Sequence, residues 1–293
     1  MREIVVTTDS GLNPLETDNM VPGIIRNIKT NEEYYDTVKL NKEDNIRAIQ
    51  AKEIMELRKK GERFKTAAPT STDYYNLFTG LVDEGKEVLH LCMSSGVSSG
   101  SCNNPLAVLN ALDDIYQDNV TLIDSMTAGS GGSVIVQYAK DLVKQGLSLE
   151  EIKKKIELVK SKVFSSYYIA DMKGYRESGR VPFGTVLLDM LSVRYRVDIN
   201  KEGALHPNGF KRGNINNTVK KYVKDIINET NIEEYDPNYI VLLKMPLIKI
   251  CFEEIIDYIR SFNYFKDIKT GDFMGTISAY GVNDQIGVGL IKK

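Results

Sequence analysis

The chain has 293 residues, 38 Lys and Arg against 40 Asp and Glu for a net charge of -2, and 42% apolar residues. That length favours two domains with separate cores, and the composition is globular rather than disordered or fibrous. The near-neutral charge offers no positive field to a phosphate polymer, which excludes nucleic acid as a partner. Three cysteines and two histidines without paired spacing fall short of the about four clustered ligands a structural zinc site needs, so no metal is expected.

The N-terminus, MREIVVTTDS, runs straight into a short apolar stretch without a signal-peptide core, and no segment approaches the ~20 apolar residues of a membrane span. A cytoplasmic protein is expected. The first half then repeats one pattern, a short apolar run that stops at small polar residues and is followed by a helical stretch. Ile4 to Thr8 stops at Asp9 and Ser10; Val88 to Met93 stops at Ser94, Ser95 and Gly96; Val120 to Ile123 stops at Asp124 and Ser125, ahead of TAGSGG. Such runs, alternating with helices, predict βαβ units and a parallel sheet covered on both faces.

Between the first two runs, Ile46, Ile49, Ile54 and Leu57 recur near helical spacing, with Gly61 as a stop. Next comes KTAAPTS, in which Pro69 fixes a turn and Thr70, Ser71 and Thr72 are all capable N-caps for the helix-like TDYYNLFTGLV. Ser148 and Glu151 form a capping box for a helix through Val163, with Ile152, Ile156 and Val159 on one side. Its lysines, Lys153, Lys154, Lys155, Lys160 and Lys162, form a solvated face or a docking surface.

After about Ser165 the pattern changes. The runs FSSYYIA, SVRYRVDI, YIVLLKM and IGVGLI mix with helices around Val219 to Ile227 and Pro246 to Phe262. This predicts a second α/β domain with a sheet that need not be parallel, and places the domains at 1–163 and 164–293.

In open α/β sheets, ligands lie beyond the carboxyl ends of the strands. The loops TTDS, SSGVSSGS and IDSMTAGSGG, with the Thr66 to Ser71 segment, therefore mark the candidate site. Hydroxyls and glycines let backbone amides approach an anion at a helix start, and they also terminate strands and cap helices without any ligand. SSGVSSGS does not fit the G-x-S-x-G elbow of a nucleophilic serine, His90 and Cys92 read as core residues of a buried strand, Cys251 reads as core too, and His206 reads as an exposed turn. Neither a phosphate-binding G-x-x-x-x-G-K-[ST] nor a G-x-G-x-x-G motif is present.

Taken in order, TTDS, a KTxxPxS segment, SSGVSSGS, LIDS, YRESGRVP and a C-terminal IGVGLI resemble the DegV family of bacterial fatty-acid-binding proteins across nearly the whole chain. The resemblance implies a two-domain α/β fold of the dihydroxyacetone kinase type, with a parallel-sheet N-terminal domain, a mixed or antiparallel C-terminal sheet and a lipid tunnel between the two. It implies a carrier rather than an enzyme. The carrier would hold a long-chain fatty acid as its ligand, use no cofactor, and present the carboxylate to a separate ATP-dependent fatty-acid kinase that makes acyl phosphate for phospholipid synthesis.

On that resemblance Thr66 donates to the carboxylate, and the serine of the next loop falls on Ser98 or Ser99. Arg180 and Arg212 inherit arginines near the head group or the partner surface, with Ser94, Ser95, Gly96, Ser125, Asp9 and Ser10 as further head-group or partner-surface positions. The chain departs from the family at Ala67 and Ala68, at Tyr280, which stands where the family commonly has histidine, and at Val282 and Asp284. A phenol still donates a hydrogen bond, whereas an aspartate beside it would repel an anion unless it points away. The apolar segments VIVQYA, FGTVLLDML and FMGTISAY are candidate tunnel walls.

Two rival readings stay open. One is an enzyme acting on a small carbonyl or phosphorylated metabolite, with Asp9, Asp124 or Asp284 as base. The other is an acyl-sensing regulatory protein that docks through its lysine-rich helices.

Overall fold

A computed structural model describes residues 2–36, 47–181, 193–229, 231–250, 252–281 and 284–293. The first strand, β1 (Ile4–Asp9), is followed by β2 (Met20–Val21), β3 (Ile24–Asn27), β4 (Glu33–Tyr35), β5 (Arg47–Ala48), α1 (Ala51–Lys59) and β6 (Phe64–Ala67). Then come α2 (Ser71–Asp83), β7 (Glu87–Cys92), α3 (Ser99–Ala111), α4 (Asp114–Gln117), β8 (Val120–Asp124), α5 (Gly129–Lys144) and α6 (Leu149–Val159). The remainder holds β9 (Val163–Ile169), α7 (Lys173–Glu177), β10 (Val193–Ile199), β11 (Leu205–Arg212), α8 (Ile215–Glu229), β12 (Tyr235–Lys244), α9 (Phe252–Arg260), β13 (Ile268–Asp272), α10 (Gly275–Ser278) and β14 (Gln285–Lys292).

The three apolar runs of the first half become β1, β7 and β8, joined by β2 in a parallel sheet of order β2-β1-β7-β8. Side chains of a strand alternate between faces, and both faces are covered here. Val88 packs with Tyr74, Phe78 and Val108 of α2 and α3, while its neighbour Leu89 packs with Val134 and Ile135 of α5 and Ile152 and Ile156 of α6. Burying each of these aliphatic side chains is worth about 1.5–3 kcal/mol.

Strands β11-β10-β9-β14-β12-β13 form a six-stranded sheet that is antiparallel except for the β12–β13 pair. Ile240 and Leu242 of β12 join α8 and α9 in one core, and Val241 and Leu243 join α5 in the other. Helix α5 thus lies between the two sheets, touching β1 on one side and β9, β12 and β14 on the other. Its approach to β14 requires a glycine. A Cβ at Gly289 would stand 2.1 Å from the carbonyl oxygen of Ser130.

A third sheet, of order β5-β4-β3-β6, has no counterpart in the sequence reading. Strand β3 pairs antiparallel with both β4 and β6, and β4 pairs parallel with β5. The helix expected from the spacing of Ile46 to Leu57 begins only at Ala51 with Ile54 and Met55 buried; Ile49, buried, precedes it, and Ile46 lies outside the described residues. Both expected helix starts hold. Thr70 and Ser148 cap α2 and α6, each in a reciprocal box with Asp73 and Glu151.

The helix read through Val163 ends its α-helical part at Val159 and continues as a tighter turn over Lys160–Lys162. The one expected over Pro246 to Phe262 spans only α9 among the described residues. His206 is exposed as expected but sits in β11 rather than in a turn. Cys251, Val282 and the segment FGTVLLDML lie outside the described residues.

Candidate functional site

The parallel strands end side by side, and their terminal carboxylates tie the following loops together. Asp9 accepts hydrogen bonds from Gly11 N at 2.8 Å and Met93 N at 2.9 Å. Asp124 accepts from Met126 N at 2.9 Å and Ser95 N at 3.3 Å, and Ser94 N donates to Thr127 O at 2.9 Å. Ser10 Oγ accepts from Gly23 N at 3.0 Å and lies 3.5 Å from Thr276 Oγ1, which links β1 to the third sheet and to α10. Three loops read separately from the sequence therefore form one bonded rim.

A cleft of about 830 Å³, counting solvent at its mouth, opens from this rim towards the six-stranded sheet. The apolar wall is built by Ala67, Ala68, Pro69, Met93, Val97, Ile169, Leu205 and Ile277, with Tyr167 and Tyr175 beside them. The polar groups are few: Asp9, Ser10, Thr66, Ser98, Ser101, Arg180, Thr276, Tyr280 and Gln285.

Thr66 and Tyr280 meet directly. The phenol oxygen accepts from Thr66 N at 2.8 Å and stands 2.8 Å from Thr66 Oγ1. Of the two hydroxyl protons in that pair, one closes the bond between them and the other is available to a ligand. Ser98 ends the loop before α3, its side chain makes no cap bond, and its Oγ accepts from Ser101 Oγ at 3.1 Å. Its own proton is free to be donated. The cleft thus presents two neutral O–H donors, a set that matches the two oxygens of a carboxylate.

Charge near these donors is limited. The Arg180 guanidinium lies over the Tyr280 ring, 4.9 Å from its centroid. Burial pushes the Asp9 carboxyl up to about 6, against the opposing pull of the amides of Met93 and Gly11. Tyr167, pushed up to about 12 by burial, donates to Ala128 O at 2.6 Å, and Tyr175 donates to Gln285 Oε1 at 2.8 Å.

Of the residues expected at the site, Thr66, Ser98, Tyr280, Arg180, Asp9 and Ser10 line this one cleft. Ser99 does not; it is the exposed first residue of α3. Ser94, Ser95, Gly96 and Ser125 do not line it; Ser94 and Ser125 are buried in the bonded rim, while Ser95 and Gly96 are exposed, Gly96 against the β10–β11 turn, where a Cβ would come within 2.5 Å of Glu202 O. Arg212 is exposed at the end of β11, paired with Val193 and away from the cleft.

Asp124 and Asp284 do not line the cleft, and Asp284 accepts from Lys249 N at 3.1 Å. VIVQYA is no tunnel wall either: Val134, Ile135, Val136 and Ala139 are wholly taken up in the α5 core. His90 pairs with Thr7 Oγ1 at 2.9 Å, packs edge-on against Tyr74 and Phe78, and burial pushes it down to about 3. Among the described residues no group of three or more His, Cys, Asp or Glu could hold a metal, and no helix is long and apolar enough to cross a membrane.

Sequence reading did not single out Tyr167, Tyr175, Thr276 or Gln285, although Thr276 lies in the expected wall segment FMGTISAY and Tyr175 in the YRESGRVP motif. It also missed the two residues that hold α10. Asp36 accepts from Gly275 N at 2.7 Å and Thr276 N at 2.8 Å, and Arg58 donates to the carbonyls of Ser278, at 3.2 Å, and Gly281.

The chain shares this architecture with solved structures at low sequence identity. A DegV family protein from Thermus thermophilus, solved for its fatty acid binding, superposes with a TM-score of 0.81 at 19% identity over 100% of both chains. The Streptococcus pneumoniae Fatty Acid Kinase (Fak) B3 protein loaded with linoleic acid gives 0.79 at 22% identity, covering 99% of each chain. A DegV domain-containing protein of Streptococcus pneumoniae is 28% identical over 222 residues, 75% of either chain. The family model described as "Uncharacterised protein, DegV family" matches residues 27–293. With that match running through all three sheets, this chain belongs to the DegV family.

Proposed function

We propose that the chain binds a long-chain fatty acid in this cleft, its carboxylate at Thr66, Ser98 and Tyr280 and its tail along the apolar wall. The reading rests on one observation: the Thr66–Tyr280 hydroxyl pair and Ser98 line the same cleft, alongside an apolar wall. A tail of ~16 carbons, at ~0.8 kcal/mol per buried methylene, supplies up to ~12 kcal/mol before the costs of association. The hydroxyls keep the carboxylate from being buried unpaired.

The bound acid is a carried ligand, presented by the two-domain chain to a separate ATP-dependent fatty-acid kinase. Fatty acid in the structural neighbours supports the first part, and the name of the pneumococcal Fatty Acid Kinase B3 protein supports the second. Arg180, beside Tyr280, and exposed Arg212 are the residues proposed to face the kinase. Among the described residues Asp9 is the one carboxylate lining the cleft that could serve an enzymatic reading as base, and both its oxygens already accept backbone amides.

Native mass spectrometry of the purified protein, followed by denaturation and lipid identification, tests the carrier reading. A co-purified long-chain fatty acid is expected. Protein that arrives empty and takes up neither oleate nor palmitate would reject it.

A further inference from the structure

We propose that Asp36 and Arg58 are positioning residues for the head group: they clamp the two ends of α10 and so hold Tyr280 against Thr66. The inference rests on the fatty-acid reading above and concerns residues that never reach the cleft.

Helix α10 is a single turn of four residues, too short to stand without outside contacts. Its N-terminal amides, Gly275 N and Thr276 N, donate one to each oxygen of the buried Asp36 carboxylate, at 2.7 and 2.8 Å. Negative charge at that end and positive charge at the other both suit the helix dipole. At the C-terminal end Arg58 Nη1 donates to the carbonyls of Ser278 and Gly281, the residues on either side of the Ala279–Tyr280 pair. The fit at Gly275 is close, since a Cβ there would lie 2.6 Å from Asp36 Oδ1.

Both clamping residues belong to the unit that carries Thr66. Asp36 follows β4, Arg58 is on α1, and Thr66 is on β6, paired through β3 to β4. The third sheet therefore fixes the donor and, through two charged side chains, the peptide that carries its partner. Thr276 and Ile277 of α10 line the same cleft, so the clamp sets part of the wall as well.

A purely structural role would weaken all ligands alike, whereas a positioning role acts on the carboxylate. Affinities for palmitate and for hexadecan-1-ol, which shares the tail, are to be measured by calorimetry on wild type, Arg58→Gln, Arg58→Lys, Asp36→Asn, Tyr280→Phe and the Arg58→Gln/Tyr280→Phe double variant. Arg58→Gln and Asp36→Asn are each expected to lower the palmitate-to-hexadecanol affinity ratio about tenfold, the scale of one hydrogen bond to a charged group. Arg58→Lys, which keeps a cationic donor, is expected to recover part of it, and Arg58→Gln is expected to add little once Tyr280 is Phe. Equal loss for both ligands, an unchanged ratio in the Arg58 variants, or full additivity with Tyr280→Phe would overturn the proposal. Wild type that binds neither ligand would instead overturn the fatty-acid reading, and this inference with it.

Discussion

The phenol oxygen of Tyr280 sits 2.8 Å from both the amide nitrogen and the hydroxyl of Thr66, a contact between residues 214 positions apart. That contact ties the segment after α10 to β6.

Removing the donors should weaken the hold on the head group while leaving the fold intact. Thr66→Ala with Ser98→Ala is expected to lower palmitate affinity by about 3 kcal/mol or more, since each hydrogen bond to a charged group is worth roughly 1.5 kcal/mol or more. Tyr280→Phe alone should cost less, because Thr66 can still donate. Calorimetric titration reads both effects, and unchanged affinity in the double variant would remove these residues from the head-group site.

Asp9 should leave a pH signature. Burial raises its folded-state pKa from 3.8 to about 6, so the folded protein retains a proton that the unfolded chain loses between those values. Stability from this group is fully present below 3.8 and is lost as pH rises through about 6, a change of roughly 3 kcal/mol. Asp36, also raised by burial, titrates in the same direction, so the comparison must be between wild type and Asp9→Asn. Urea unfolding from pH 3.5 to 7 should show the wild type losing stability relative to the variant; parallel curves would contradict the assignment.

The close approach of α5 to β14 makes Gly289→Ala costly. The added methyl would stand 2.1 Å from Ser130 O, with the backbone of Gly131 also near. Overpacking of this kind costs about 1–3 kcal/mol, and contact with backbone places it at the upper end. Denaturant midpoints would record the loss, and a change below 0.5 kcal/mol would mean that the helix shifts freely.

Thr70→Ala breaks the box that starts α2. Loss of such a cap typically costs about 1 kcal/mol. Because Thr70 caps α2 without lining the cleft, ligand affinity should stay within a factor of about two while the thermal midpoint falls.

The loops of the site were legible because their strands stop abruptly: an apolar run ending in Asp-Ser or Ser-Ser-Gly can hardly be anything but a strand end in a covered parallel sheet. The third sheet was not. Its strands β3 to β6 are two to four residues long, shorter than the period-two pattern needs to declare itself. Strand β11 escaped for another reason, since nearly all its residues face solvent and no apolar alternation marks it. Nothing local identifies Asp36 or Arg58, whose bonded partners lie more than 200 positions away. The choice between Ser98 and Ser99 depended on which of them the helix absorbs, and α3 takes Ser99.

Strand β14 lies between β9 and β12, inside the six-stranded sheet, although in chain order it follows the other five strands. During synthesis the flanking strands must wait with their inner edges unpaired until translation passes Lys292, and Tyr280 arrives only just ahead of it. A nascent chain that has not yet reached β14 therefore carries two open sheet edges, which exposes it to aggregation until that strand is in place.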